Sequence, residues 1–381
     1  MDFSFSSDQN QFRELVATFA RNEVAPYADE WDAQARFPLD TVLALGKLGA
    51  FGVTFPEEYG GLDLDFSTLC IAIEELARVD SSIAITLSAG VGLGANPIYS
   101  FGTETQKRTY LPAMCEGKAL GAFGLTEPDA GSDAGATRSR ATLDETRDEW
   151  VINGSKAYIT NSGTPITTLV TVTARTEEGI SAFIIPAGTE GLIIEPSYRK
   201  LGWHASDTHG IHLDEVRVPR ENLLGKLGKG FSQFLAILDD GRVAISALAV
   251  GLAQGCLDEA VSYAKVRNAF GGPIGRHQAV AFMCADIATK VEAARAMTYR
   301  AAWLKDSKRP FSQAAAMAKL FSTEAAMDAA RMATQIFGGA GFIEGNPVAR
   351  HFRDAKILEI GEGTSEIQRL VIARGLGLPV S

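Results

Sequence analysis

The hydrophobic pattern of this 381-residue chain changes period twice, and nothing else in the sequence restricts its fold so strongly. From the start to about residue 117 the apolar residues recur at helical spacing. Phe12, Leu15, Val16, Phe19 and Ala20 fall at i, i+3, i+4, i+7 and i+8, on one face of a helix. Ser7 is the expected N-cap, and Pro26 marks the far end. Val42–Leu48, Leu69–Leu76 and Thr105–Met114 read as further helices. Between about 118 and 225 the period becomes that of strands. Asn153-Gly154 lies between the β-rich runs Trp150–Ile152 and Ala157–Thr160, and predicts a two-residue hairpin turn, because a type I′ turn needs positive φ at both positions. Thr168–Ala174, Ser181–Ile185, Leu192–Ile194 and Ile211–Val218 read as more short strands, which suggests a small barrel or sandwich. After Lys226 the helical signal returns. Val243–Leu257 is apolar almost all round, as in a buried helix. Segments at about Arg276–Asp306, Pro310–Gln335 and Pro347–Leu358 complete an up-and-down bundle of about four long helices. The expected domains are a helical unit at 1–117, a β unit at 118–225 and a bundle at 226–381.

A chain of this length is expected to hold two or three packed units. Its net charge of −10 argues against nucleic acid or an anionic membrane as the main partner. An anionic ligand stays possible through local Arg residues and helix N-termini. Cys70, Cys115, Cys256 and Cys284 form no C-x-x-C pair and read as small buried hydrophobes in a reducing compartment. The opening residues MDFSFSSDQNQF lack the basic and apolar regions of a signal peptide. The apolar stretch Ile83–Ile98 is too short and too glycine-rich for a membrane span. The expectation is a cytoplasmic protein, with a processed mitochondrial form as the alternative.

Gly338-Gly339-Ala340-Gly341 follows a helical run rather than a strand, so it reads as a helix end with left-handed glycines and not as a dinucleotide fold. His204, His209 and His212 cluster, but without H-E-x-x-H spacing or a nearby Cys, and no metal site is expected. No G-x-S-x-G elbow is present. Two segments invite chemistry. Thr126–Asp133 is a loop of hydroxyls and glycine that can present N–H groups to a phosphate, or be only a turn. Glu362 stands between Gly361 and Gly363 just after a helix, where glycine permits close backbone approach to a ligand; a solvated carboxylate is the alternative. Glu359 and Glu366 lack that setting.

Five stretches resemble the acyl-CoA dehydrogenase family, in family order and across essentially the whole chain. They are Gly124–Ala136, Lys156–Asn161, Arg267–Gly271, Gln335–Phe342 running on to Arg350 and Arg353-Asp354, and Glu362–Gln368. The resemblance implies a mostly α fold with a helical N-terminal domain, a middle β-barrel and a C-terminal four-helix bundle, assembled as a homotetramer or homodimer. It implies FAD held without a Rossmann domain. The isoalloxazine would lie near Phe123, Leu125, Thr126, Tyr158 and Thr160, with Ser132 at the pyrophosphate. Arg267, Phe270 and Gln278, with Gln335, Gly338 and Gly339 from a neighbouring subunit, would hold the pyrophosphate and adenosine, and Thr364 and Glu366 would complete the site.

By the same resemblance, Glu362 abstracts the α-proton of an acyl-CoA while the β-hydride goes to flavin N5. Gly363 lets the backbone approach the thioester carbonyl. Ser132, Asp239 and Arg242 contact the substrate or order the site. Some relatives carry the base where this chain has Gly241, which cannot act. Gly361 replaces a Tyr common before the base and is expected to widen the acyl pocket. The C-terminal portion looks most like short-chain members, and the expected electron acceptor is an electron-transferring flavoprotein. A same-fold oxidase or monooxygenase using O₂, and a non-catalytic subunit, are the alternatives.

Overall fold

The computed structural model describes residues 4–380. Seven α-helices come first: α1 (Ser7–Phe19), α2 (Ala28–Gln34), α3 (Leu39–Lys47), α4 (Phe66–Ala77), α5 (Ser81–Ala89), α6 (Asn96–Phe101) and α7 (Glu104–Cys115). The cap of α1 is Ser6, not the expected Ser7. Ser6 Oγ accepts from the Gln9 N–H at 3.1 Å, and Gln9 Oε1 accepts from the Ser6 N–H at 3.0 Å. This reciprocal box needs a side chain of Gln length three residues after the cap, and Ser7 has only Asn10 there.

The middle of the chain forms β1 (Leu120–Gly124), β2 (Arg140–Asp144), β3 (Glu149–Thr160), β4 (Thr167–Thr176), β5 (Gly179–Pro186), β6 (Leu192–Ile194), β7 (Thr208–Pro219) and β8 (Leu223–Leu224). The strand order is β6-β7-β3-β2-β4-β5-β8, with β1 parallel to β4. This path is open: among the described residues no pairing joins β6 to β8, so the expected barrel does not close.

The hairpin expected at Asn153-Gly154 is also absent. Both residues lie inside β3, which pairs antiparallel with β7 from Glu149↔Pro219 to Thr160↔Thr208, with a register shift between Ile152 and Gly154. The turn falls earlier, at 145–148, where Asp148 adopts φ 54°. Gly154 answers a packing need instead, since a Cβ there would come within 2.6 Å of the Ser139 Cβ.

The C-terminal part holds α8 (Gly230–Val266), α9 (Gln278–Asp306), α10 (Ser312–Phe337), α11 (Pro347–Leu358) and α12 (Ser365–Gly375). Two short strands, β9 (Asn268–Ala269) and β10 (Gly272–Pro273), lie between α8 and α9. Only three of these helices are long, at 37, 29 and 26 residues; α11 has 12. The N- and C-terminal helices share one core, in which Leu69, Leu76 and Ile83 join Val243, Leu248 and Ala330. The sheet has its own core around Trp150, Ile152, Val172 and Phe183. Asp354 of α11 ties the regions together, accepting from Ser81 Oγ at 2.7 Å and from the Trp203 N–H at 2.6 Å. Cys70, Cys115 and Cys256 are buried, Cys284 is half-buried, and all four are free thiols. Among the described residues no helix is long and apolar enough to cross a membrane.

Candidate active site

The segment between α11 and α12 turns through two left-handed residues, Glu362 at φ 53° and Gly363 at φ 97°. Thr364 then caps α12, its Oγ1 accepting from the Ile367 N–H at 3.3 Å. This turn aims the Glu362 side chain at α8. A Cβ built on Gly241 would overlap Glu362 Oε2 and reach within 2.9 Å of its Cδ, so the carboxyl occupies the space that the missing side chain leaves. The residue as a whole is partly exposed, but Oε2 is buried and has no hydrogen-bond partner among the described residues. Burial pushes the carboxyl up to about 7, against the opposing pull of Lys319 and Arg242.

Both cations are buried. Arg242 forms an ion pair with Asp239, which also accepts from Ser312 Oγ at 3.0 Å, and its Nε is left without a partner. Burial raises Asp239, with Arg242 opposing. Lys319 Nζ donates to the Gly363 carbonyl at 2.8 Å, and Gln368 Nε2 donates to the same oxygen at 2.8 Å. Gln368 closes the family-like stretch Glu362–Gln368 without an expected role there, and Lys319 reads in the sequence as an ordinary polar residue of a helix.

The end of β1 meets the same helix. Phe123 stacks on Phe234 with ring centroids 4.0 Å apart. Phe234 and Gly241 are seven residues apart on α8, hence on one face and about 10 Å along its axis. The end of β1 and the Glu362 carboxyl therefore share one stripe of α8. Leu125 is buried beside Phe123, while Thr126 and Thr160 are half-buried. Ser132 is exposed, and Tyr158 is 67% exposed at φ 62°, its ring 5.4 Å from that of Tyr198.

A buried ion pair that sequence reasoning missed organises this loop. Glu127 accepts from Lys156 Nζ at 2.8 Å, from the Arg138 N–H at 2.6 Å, from the Ser139 N–H at 3.0 Å and from Thr137 Oγ1. Burial alone would raise Glu127, but Lys156 and these donors outweigh it and hold the carboxyl at about 2.

Arg267, Phe270, Gln278, Gln335, Gly338 and Gly339 are all exposed, with Phe270 at 90%. Arg267 follows the last residue of α8, 26 positions beyond Gly241, so about 39 Å of helix separates it from the position against which the Glu362 carboxyl lies. One chain does not bring these residues to the Glu362 end. Glu366 is exposed in the first turn of α12. The clustered histidines do not converge: His204 Nε2 lies 2.9 Å from the Lys200 carbonyl, His209 Nε2 2.6 Å from Asp207, and His212 Nδ1 3.1 Å from Ser155 Oγ.

Residues 6–118, 122–216 and 228–377 match the N-terminal, middle and C-terminal domains of acyl-CoA dehydrogenase. The chain belongs to the acyl-CoA dehydrogenase family. A probable acyl-CoA dehydrogenase of Bacillus subtilis is 50% identical over 380 residues, 99% of this chain and all of that one. The short-chain specific acyl-CoA dehydrogenase of Clostridium acetobutylicum is 44% identical, covering 98% of this chain and 99% of that one. Butyryl-CoA dehydrogenase of Megasphaera elsdenii superposes with a TM-score of 0.96 at 42% identity, covering 99% of this chain and 100% of that one. An acyl-CoA dehydrogenase of Bacillus anthracis complexed with FAD superposes with a TM-score of 0.93 at 33% identity, over 99% of this chain and 69% of that one. A chain in the solved structure of the electron transferring flavoprotein of Acidaminococcus fermentans matches at 0.96 and 44% identity, over 99% of each chain.

This acyl-CoA dehydrogenase is an oxidoreductase whose cofactor is FAD. The residues fit that cofactor. Tyr158 and Phe270 offer exposed aromatic faces, and Gly131, Gly338 and Gly339 have no atom within 4 Å of where a Cβ would stand, which leaves bare backbone for a phosphate or ring to approach.

Proposed function

We propose that this enzyme converts a short-chain or short branched acyl-CoA to its trans-2-enoyl-CoA, with Glu362 as the base. The observation that carries this reading is the unpartnered, buried Oε2 of Glu362 in the space above Gly241. A base works best with a pKa near the working pH, and burial brings this carboxyl there. In the reaction the Cα–H bond breaks and its proton passes to Glu362 as enolate character develops on the thioester carbonyl. FAD, when bound, supplies the acceptor for the β-hydride. A backbone N–H at the base would polarise the carbonyl, and Gly363 keeps that approach free of a side chain. Asp239 and Arg242 order the α8 side of the site.

Phe123, Leu125, Thr126, Tyr158 and Thr160 would line the flavin, with Ser132 toward the pyrophosphate and Thr364 and Glu366 completing the site. Arg267, Phe270, Gln278, Gln335, Gly338 and Gly339 would serve cofactor binding across subunits of a homotetramer, a reading supported by their exposure and by the length of α8. We keep 1–117, 118–225 and 226–381 as working domain boundaries. The short-chain preference is supported by the relatives described above. An electron-transferring flavoprotein as acceptor and a cytoplasmic location complete the reading. Incubating the FAD-loaded enzyme with butyryl-CoA and an artificial electron acceptor tests it. Crotonyl-CoA is the expected product, and failure to form the corresponding 2-enoyl-CoA from butyryl-CoA and from longer and branched thioesters alike would refute the assignment.

A further inference from the structure

Lys319 lies in the first third of α10 and is fully buried, with a relative exposure of 0%. A buried ammonium is costly unless it is paired or does a specific task. Among the described residues it has no carboxylate within ion-pair distance, and its one hydrogen bond is to the Gly363 carbonyl at 2.8 Å. Gln368 already donates to that oxygen at the same distance, so a neutral donor can meet the carbonyl's need. What Lys319 adds is charge: burial lowers its ammonium to about 8, so it is charged at neutral pH and below, and Glu362 is the carboxylate that most opposes this lowering.

We propose that Lys319 is the positioning residue for the base. From α10 it pins the Glu362–Gly363 turn through the Gly363 carbonyl and presents a buried positive charge to the Glu362 carboxyl. The inference rests on Glu362 being the base. Two features show why such a device is needed. Glu362 and Gly363 both hold positive φ, and left-handed backbone is unfavourable for a residue with a Cβ, so the turn needs anchoring. The carboxyl is also desolvated, so it stays ionised only where cations oppose the burial.

The charged groups around it come from three helices and from the segment just after α11. Arg242 of α8 faces Glu362, but its charge is shared with Asp239. Lys319 faces it from α10, and Glu359 beyond α11 and Glu366 of α12 face Lys319 in turn. Lys319 is the cation in this set without an ion-pair partner. It would therefore favour the ionised base in the free enzyme while tying the base's backbone to the bundle.

The test uses the FAD-loaded enzyme and measures kcat/KM for butyryl-CoA across the pH range in wild type, E362Q, K319M, K319Q and K319R. Lys319→Gln keeps a donor and removes the charge; Lys319→Arg keeps the charge. The acid limb of the profile is expected to move up by about one pH unit in K319Q and K319M, and K319R is expected to restore the wild-type midpoint. K319M should also lose some rate at the plateau, because it removes one of the two donors that hold the Gly363 carbonyl and leaves Gln368 alone. A role in stability alone predicts a lower rate with an unmoved midpoint in every variant, and that result overturns the proposal. If E362Q turns over normally, the base assignment fails; if E362Q is inactive while K319Q and K319M keep the wild-type midpoint, the Lys319 role alone fails.

Discussion

Gly241 of α8 and Glu362 of the α11–α12 turn occupy one shared space: the carboxyl of Glu362 fills the volume in which any side chain at 241 would have to lie. Gly241→Ala should therefore displace the carboxyl without harming the helix, since Ala is the better helix former by about 1 kcal/mol. The expected result is full FAD content and an unchanged or higher Tm, with kcat for butyryl-CoA down on the order of 100-fold. Turnover and thermal unfolding on the same preparation check both parts.

Glu362 also links stability to pH. Its carboxyl is raised from 4.5 to about 7 in the folded protein, so the folded state binds its proton more tightly than the unfolded state does. That contribution is fully present below about 4.5 and is lost as the pH rises through about 7. Glu362→Gln, always neutral, should unfold at a higher temperature than wild type at alkaline pH, with the difference shrinking as the pH falls toward 5. Thermal melts of the two proteins across that range measure it.

Glu127 carries the opposite sign, although burial lowers its partner Lys156 to about 8 and offsets part of the gain. Glu127 is held at about 2, below its usual 4.5, so its stabilising effect is present above 4.5 and disappears as the pH falls toward 2. Removing Lys156 leaves a buried carboxylate unpaired. Lys156→Met should cost about 3–5 kcal/mol and lower FAD retention, because the loop of Ser132 loses its anchor. The double variant Glu127→Gln/Lys156→Met should recover part of the stability. Urea unfolding and the flavin-to-protein absorbance ratio provide the measurements.

Much of this arrangement is legible in the sequence where the signal is periodic. The change from helical to strand spacing marks the β-rich region, and Pro347–Leu358 matches a helix at both ends. Local turn chemistry misleads where packing decides. Asn153-Gly154 has the composition of a hairpin turn, yet Gly154 is small because Ser139 crosses it. The capping position slips by one because Gln9, not Asn10, can reach back. Glu362 is legible through its glycine flanks and the family resemblance. Lys319 and the Glu127–Lys156 pair are not, because a lysine in a helix or strand looks solvent-facing until the neighbouring elements close over it.

Gly361 offers a test of pocket shape. A Cβ there would meet only the Ile357 carbonyl, at 3.5 Å, so the position tolerates a side chain. Gly361→Tyr should fold and keep FAD, but narrow the space beside Glu362. The ratio of kcat/KM for a branched thioester to that for butyryl-CoA is expected to fall by about tenfold, the scale of a lost or blocked methyl contact. An unchanged ratio would place the acyl chain away from residue 361.

Anaerobic mixing of the FAD-loaded protein with butyryl-CoA, in wild type and Glu362→Gln, tests the base assignment most directly. The wild-type flavin should bleach, while the variant should keep its FAD and bind the thioester with its visible absorbance intact. Bleaching of the variant at a rate near that of wild type would contradict the account and move the base to another residue.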